Sequence, residues 1–280
     1  MYVNMEDLNM KKSTVMMLIA VILSVIAISS GIVFFSQMAD ENKAEQTYEN
    51  LSSLVSSEVE NEDNITIEIE GEAEPVYNGP TSYQKYLPIY EQNDDFIAWV
   101  KIEGTKIDYP VMQTVDDPNF YLKHAFDKSY SDYGVPYIQE NCLIDNCDNI
   151  VVYGHNMNNG SMFADLCKYE DEEFYKEHKY IQFDTLLDYG RYEIVAVFKT
   201  VVYNDAGFKY FQFVNAEDEA DLNKYIETCK SLQLYDTGVD AEHGDRLLTL
   251  STCEYSQTDG RIVVVAKLID NIPMESDMNE

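Results

Sequence analysis

Apolar and polar positions divide this chain into three stretches. Residues 15–35 are apolar and uncharged, interrupted only by Ser24, Ser29, Ser30 and Gly31. Residues 40–80 are dense in Glu, Ser and Asn and poor in large apolar side chains, a composition that does not support a core of its own. The alternation Ile65-Thr66-Ile67-Glu68-Ile69-Glu70 is a short strand signal within it. From Tyr83 onward the chain becomes aromatic-rich and patterned.

In that third stretch, residues 83–90 read as a short helical or turn segment limited by Pro88. Residues 96–102 read as a strand, and Gly104-Thr105 turns the chain into a second at 107–111, where Pro110 suits an edge or a strand end. A turn at Asp116-Asp117-Pro118-Asn119 precedes a short apolar segment with Tyr121, Leu122 and Phe126. Further strands are predicted at 135–138, 149–153, 180–184 and 192–202. Asn158-Asn159-Gly160-Ser161 reads as a turn and an N-cap for a helix carrying Met162, Phe163 and Leu166, with a second helical piece at 170–177. Asn215 reads as another N-cap, with Glu217, Asp218 and Glu219 complementing the helix dipole. Leu222, Tyr225, Ile226, Cys229 and Leu232 then recur at three- and four-residue spacing, an amphipathic helix ending near Asp236-Thr237-Gly238.

The last patterned stretch is 246–268. Two runs rich in β-formers, ending at Cys253 and starting at Arg261, flank a polar segment that closes on Asp259-Gly260: strand, loop, strand. Paired as a hairpin, they bring a thiol and a guanidinium to one rim of the sheet. Many short strands, few helices and no repeated strand–helix alternation argue against a doubly wound sheet. They predict a mostly antiparallel barrel or sandwich with inserted helices.

Charge and hydropathy place that domain. As a helix rising about 1.5 Å per residue, residues 15–35 span roughly 30 Å, the thickness of a bilayer core. Lys11 and Lys12 precede them and Asp40 and Glu41 follow. The positive-inside bias then keeps residues 1–14 in the cytoplasm and exports the rest. A cleaved signal peptide is the competing reading, but its apolar region is normally about 7–15 residues, and Gln37-Met38-Ala39 is a poor cleavage site. The expected organisation is a transmembrane helix at 15–35, an acidic stalk at 36–80, a folded domain at 81–270 and a polar tail at 271–280. The chain carries 51 Asp+Glu against 19 Lys+Arg, a formal charge of −32. Such a surface repels phosphates, which sets nucleic acid aside as a partner.

The chemistry-bearing residues are few. The 5 cysteines (Cys142, Cys147, Cys167, Cys229 and Cys253) are odd in number and scattered, without Cys-x-x-Cys or zinc-site spacing. At least one lacks an intrachain partner, and four read most simply as small core residues. His124, His178 and His243 read as surface residues. His155 differs, because it follows a strand and precedes a glycine-rich turn, where side chains project from a sheet rim. Cys253 has Ser251, Thr252 and Arg261 for company. A thiolate is a nucleophile that a neighbouring cation favours, and an arginine can grip a carbonyl or an oxyanion. A buried thiol at a strand end is the plain alternative.

Those residues carry a resemblance. Thr249-Leu250-Ser251-Thr252-Cys253, followed by Gly260-Arg261-Ile262-Val263-Val264-Val265-Ala266-Lys267, resembles the active-site signature of sortases. Val151-Val152-Tyr153-Gly154-His155-Asn156-Met157, with Gly160-Ser161-Met162-Phe163, resembles their histidine motif. The helix at 215–234 is similar to the insertion that marks class B, and residues 99–111 resemble that class's opening strands. The resemblance covers roughly residues 83–268. It implies an eight-stranded β-barrel and a cysteine transpeptidase held by its N-terminal helix on the outer face of a Gram-positive cell membrane. It further implies that Cys253 attacks the carbonyl after the threonine of a C-terminal sorting motif. His155 would be general acid and then base, and Arg261 would bind the substrate carbonyl or oxyanion. The partners implied are surface proteins bearing a sorting signal and an amino group of a lipid-linked peptidoglycan precursor. Tyr153, Ser251, Thr252 and Glu254 are expected to line the substrate groove.

The nearest rival is a class B enzyme that polymerises pilins; the lid motif of class C is not seen. A cysteine peptidase is a second rival, though papain-like enzymes place Cys before His. A non-catalytic wall-binding module is a third. No EF-hand loop is present in the sequence, and class B resemblance implies neither metal nor cofactor.

Overall fold

Strand alternation resolves into a closed barrel. Its strands are β1 (Phe96–Lys101), β2 (Asp108–Met112), β3 (Tyr137–Ile138), β4 (Asn149–Tyr153), β5 (Tyr180–Thr185), β6 (Arg191–Val201), β7 (Leu247–Cys253) and β8 (Gly260–Asp270). Their order around the barrel is β1-β2-β3-β4-β7-β8-β6-β5, with β5 returning to β1. The pairings are antiparallel except β2 with β3 and β4 with β7. This computed structural model describes residues 5–59, 80–144, 146–203 and 207–271. Pro110 faces Trp99 of β1, while β2 meets β3 only at Met112 and Tyr137. Its missing N–H therefore falls where the ladder does not call on it.

The helices are α1 (Met5–Val59), α2 (Ser82–Tyr90), α3 (Glu172–Glu177) and α4 (Glu219–Leu232). Leu222, Tyr225, Ile226 and Cys229 of α4 pack in one cluster with Val195, Phe198, Val263 and Val265. Because β8 is covered by α4 on one side and the barrel interior on the other, Ile262–Ala266 is buried throughout. That is why it reads as a continuous apolar run instead of an alternation. Each of its isoleucine and valine side chains contributes about 1.5–3 kcal/mol by leaving water. Helix α2 is anchored by its buried polar residues: Tyr86 Oη donates to Asp184 Oδ2 at 2.7 Å and Lys85 Nζ lies 3.9 Å from it. Burial raises the Asp184 carboxyl, and the Lys85 ammonium works against that.

Several expectations need correction. Pro88 lies inside α2 and does not end it; buried Tyr86 and Ile89 hold the helix on either side of the lost bond. The cap of α4 is Asp218, which accepts from Asp221 N at 3.0 Å, while Asn215 accepts from Asp148 N. The helix stops at Leu232 because Leu234 N donates to Val197 O, pulling the chain onto β6. Ser161 caps nothing: its hydroxyl bonds Asn159, Met162 takes a left-handed φ of 57°, and Ala164–Glu170 is a 3-10 helix.

Residues 36–80 are not simply a stalk. The chain forms two compact units, Met1–Thr47 and Tyr48–Glu280. In the first, Leu18, Ile22 and Phe35 are exposed; the helical stretch Thr14–Ser56, most of it in that unit, is long and apolar enough to cross a membrane. In the second, Tyr48, Leu51 and Val55 are buried. Tyr48 Oη donates to Gly134 O at 2.8 Å and its ring meets Tyr109 edge-on at 5.3 Å, while Ser52 Oγ donates to Asp108 Oδ2 at 2.7 Å. Three apolar side chains at helical spacing suffice for this, in a segment whose average composition is polar. The strand signal at 65–70 lies outside the described residues.

Candidate active site

Parallel pairing of β4 with β7 sets Tyr153 opposite Ser251. Beyond the ladder the two chains remain tied. Gly154 N donates to Ser251 O at 3.2 Å, Thr252 Oγ1 to Gly154 O at 2.7 Å, and Asn156 Nδ2 to Cys253 O at 2.8 Å. These bonds flank His155 and hold it beside the end of β7. Glycine is required at 154, since a Cβ there would meet the Phe163 ring at 2.5 Å. His155 Nε2 lies 2.8 Å from Leu122 O. A carbonyl only accepts, so this nitrogen carries a proton.

The β7–β8 hairpin supplies the other two groups. Cys253 stands opposite Arg261 in the register. Asp259 turns the chain with a φ of 57°, and Glu254 N donates to Gly260 O at 3.0 Å. Arg261 Nη1 donates to Gly260 O at 2.8 Å, with the guanidinium 6.0 Å from the centre of the Tyr203 ring.

His155, Cys253 and Arg261 line one cavity of about 650 Å³. Tyr153, Ser251 and Thr252 line it too, as do Leu122, Tyr137, Tyr203, Tyr210 and Phe211. Tyr210 Oη pairs with Ser251 Oγ at 2.6 Å. Burial pushes the Tyr137 and Tyr210 phenols up to about 12, so near neutral pH they are hydrogen-bonding groups and not bases.

Of the residues singled out in the sequence, only Glu254 is placed elsewhere. Its carboxylate accepts from Ser256 N at 2.8 Å and Ser256 Oγ at 2.6 Å, and lies 3.3 Å from Lys199 Nζ. It is not among the residues that line the cavity. His124 stacks on Phe120, His178 bonds Glu103 O, and His243 is exposed, all apart from that lining. Sequence reasoning missed Asn156, the Leu122 carbonyl and the aromatics Tyr203, Tyr210 and Phe211. Asn156 adjoins His155, and residues 207–213 are dense in aromatics, so both left a trace; a backbone carbonyl leaves none. Among the described residues, no three His, Cys, Asp or Glu side chains gather as a metal site.

A family model described as the sortase domain matches residues 100–269. Sortase B of Listeria monocytogenes is 34% identical over 184 residues, which is 63% of this chain and 71% of that relative. The chain belongs to the class B sortases. Solved structures agree with the fold. Clostridium perfringens sortase B is 35% identical with a TM-score of 0.60, covering 66% of this chain and 99% of that one. A Staphylococcus aureus sortase B–substrate complex is 25% identical with a TM-score of 0.67, covering 83% of this chain and 97% of that one. This sortase is thus a cysteine transpeptidase with the eight-stranded barrel of its class.

Proposed function

We propose that this sortase cleaves a surface protein after the threonine of a C-terminal sorting motif and transfers it to an amino group of a peptidoglycan precursor. The observation that carries this reading is the meeting of a thiol, an imidazole and a guanidinium on one cavity. The Cys253 thiolate attacks the threonine carbonyl carbon, and Arg261 hydrogen-bonds the oxyanion that forms. His155 gives its proton to the leaving amine as the carbon–nitrogen bond breaks, leaving a thioester on Cys253. The incoming amine attacks that thioester and passes a proton back to His155, and the Cys253 thiolate leaves as the new amide forms. Tyr153, Ser251 and Thr252 border the groove for the peptide. The Staphylococcus aureus sortase B solved in complex with its substrate supports a substrate site on this barrel.

The apolar helix at 15–35 anchors the enzyme, with residues 1–14 in the cytoplasm and the barrel outside. Because Tyr48 and Ser52 bond the barrel, the catalytic domain begins near residue 48 and not at 81.

The test is to incubate the full chain, in detergent, with pentapeptides ending Thr-Gly or Thr-Asn, with and without a glycine amine. Mass spectrometry follows Cys253, with Cys253→Ala as control. An acyl adduct that passes to the amine is the expected result. An adduct released only to water favours a peptidase. No adduct from any peptide, with an unreactive Cys253, overturns the reading in favour of a binding module.

A further inference from the structure

The loop between β3 and β4 carries two thiols that the proposed reaction leaves unused. Cys142 Sγ and Cys147 Sγ lie 2.6 Å apart, and both side chains are buried. The backbone brings them together from several sides. Cys142 N donates to Gln139 O at 3.1 Å in the turn after β3, and Cys142 O accepts from Gln113 Nε2 at 2.7 Å. The Cys142 sulfur lies 3.6 Å from Asn149 O at the start of β4, and Arg246 donates to Ile144 O between the two cysteines.

We propose that Cys142 and Cys147 form an intrachain disulfide that braces the β3–β4 loop against the substrate cavity. Gln139, Glu140 and Asn141, immediately before Cys142, line that cavity. Gln139 also donates to Phe211 O at 2.7 Å and accepts from the Tyr153 hydroxyl, so the loop touches two further lining residues. A covalent sulfur–sulfur bond is about 2.0 Å long, and the two sulfurs already stand 2.6 Å apart. The odd cysteine count is then accounted for by one bonded pair and three thiols.

The chemistry is thiol–disulfide exchange. Either thiol can give its proton to water and begin the exchange; with Cys142 first, it supplies the thiolate. It attacks a sulfur of an external disulfide, either a low-molecular-weight one or a thiol–disulfide oxidoreductase, and one thiolate leaves. Cys147 then gives its proton to water and attacks the Cys142 sulfur of the mixed disulfide, expelling the second thiolate. Two protein thiols are oxidised and one external disulfide is reduced to two thiols. Both sulfurs are buried in the folded barrel, so the exchange occurs on the translocated chain before the loop closes. In that respect the inference rests on the outward orientation proposed above.

The full chain would be synthesised cell-free into detergent, once with excess glutathione disulfide and once with a reductant. Free thiols are blocked with N-ethylmaleimide, bonded ones are then reduced and labelled with iodoacetamide, and peptides are read by mass spectrometry. The expected result in the oxidising arm is a Cys142–Cys147 peptide that, read before the reduction step, is linked and lighter by two hydrogens. Read after that step, it carries the second label at both cysteines, with Cys229 taking the first label. Free or glutathione-capped Cys142 and Cys147 in that arm overturn the proposal. Turnover of a sorting peptide by the two arms reads the brace: KM rises in the reduced arm while kcat is retained, and equal KM values overturn the bracing role. The same labelling on acid-quenched membranes separates the two readings. A pair bonded there supports both; a pair bonded cell-free but reduced in cells supports the disulfide and counts against the orientation.

Discussion

Asn156 donates its side-chain amide to the carbonyl of Cys253 at 2.8 Å, across 97 positions of sequence. Together with the bond from Thr252 to Gly154 O, it fixes the spacing of the proposed acid and nucleophile from both sides of His155. Asn156→Ala removes one bond worth about 0.5–1.5 kcal/mol of stability, which the barrel tolerates. Its larger effect is on geometry, and a loose acid lowers the rate of the acyl step by about tenfold or more. Single-turnover acylation should therefore fall while peptide KM changes little. A loss seen only in KM would place Asn156 in substrate binding instead.

Gly154→Ala tests the same arrangement by crowding. The added Cβ would lie 2.5 Å from the Phe163 ring, a collision with a fully buried side chain. Overpacking of this kind costs about 1–3 kcal/mol. Urea unfolding should show that loss, and activity should fall with it because His155 is the next residue. Phe163→Leu in the Gly154→Ala background makes room and should restore part of both.

The hairpin was legible because strand, turn and strand are local: Asp259-Gly260 and two β-rich runs suffice to pair Cys253 with Arg261. Joining His155 to them needs the β4–β7 pairing, a parallel contact over about a hundred residues that no local pattern encodes; there the family signature supplied what periodicity could not. Caps were misassigned because Asn215 and Asp218 offer the same chemistry three positions apart, and only the packing of α4 decides between them. The packed part of the expected stalk was hidden because Tyr48, Leu51 and Val55 are diluted by polar neighbours. Glu254 was placed in the groove by adjacency to Cys253, whereas the chain turns there and sends the carboxylate to Lys199.

Arg261 should resist conservative replacement. Lysine keeps the charge but loses the planar fork that reaches two acceptors at once. If the guanidinium holds the oxyanion, Arg261→Lys lowers kcat by about 10²–10³-fold, the usual cost of losing such a donor. Steady-state cleavage of a sorting peptide reads it, and near-normal turnover by the lysine variant would leave Arg261 only a bulk electrostatic role.

Cys167 sits close to the proposed nucleophile, its sulfur 3.9 Å from Cys253 O, yet it should not compete for acyl groups. Burial pushes its thiol up to about 11, with the Glu170 and Glu254 carboxylates adding to the effect, and burial takes Cys229 up to about 12. Only about one Cys167 in a thousand is then a thiolate at pH 8. Iodoacetamide labelling of the Cys253→Ala variant at pH 8 should be slow at Cys167, rising about tenfold per pH unit toward pH 11. Fast labelling of Cys167 at pH 8 would contradict this and make it a second candidate nucleophile.

Glu254 gives a prediction about pH and stability. Burial works to raise its carboxyl, but the Ser256 hydroxyl and amide and the Lys199 ammonium outweigh burial and hold it below its ordinary 4.5. The folded chain therefore binds this proton less readily than the unfolded chain does. The stability Glu254 contributes is fully present above about 4.5 and is lost as the pH falls through the lowered value. Glu254→Gln has no carboxylate to protonate, and it leaves Lys199 with Glu170 as its remaining partner. The gap in unfolding free energy between wild type and variant should thus be widest at neutral pH and narrow steadily below about pH 4.5. Denaturant titrations of both proteins from pH 7 down to about pH 3 measure it directly, since the other carboxylates titrate alike in each and cancel in the difference. A gap that stays constant with pH would mean that the side chain stabilises the β7–β8 turn through its shape and hydrogen bonds, with its charge playing no part.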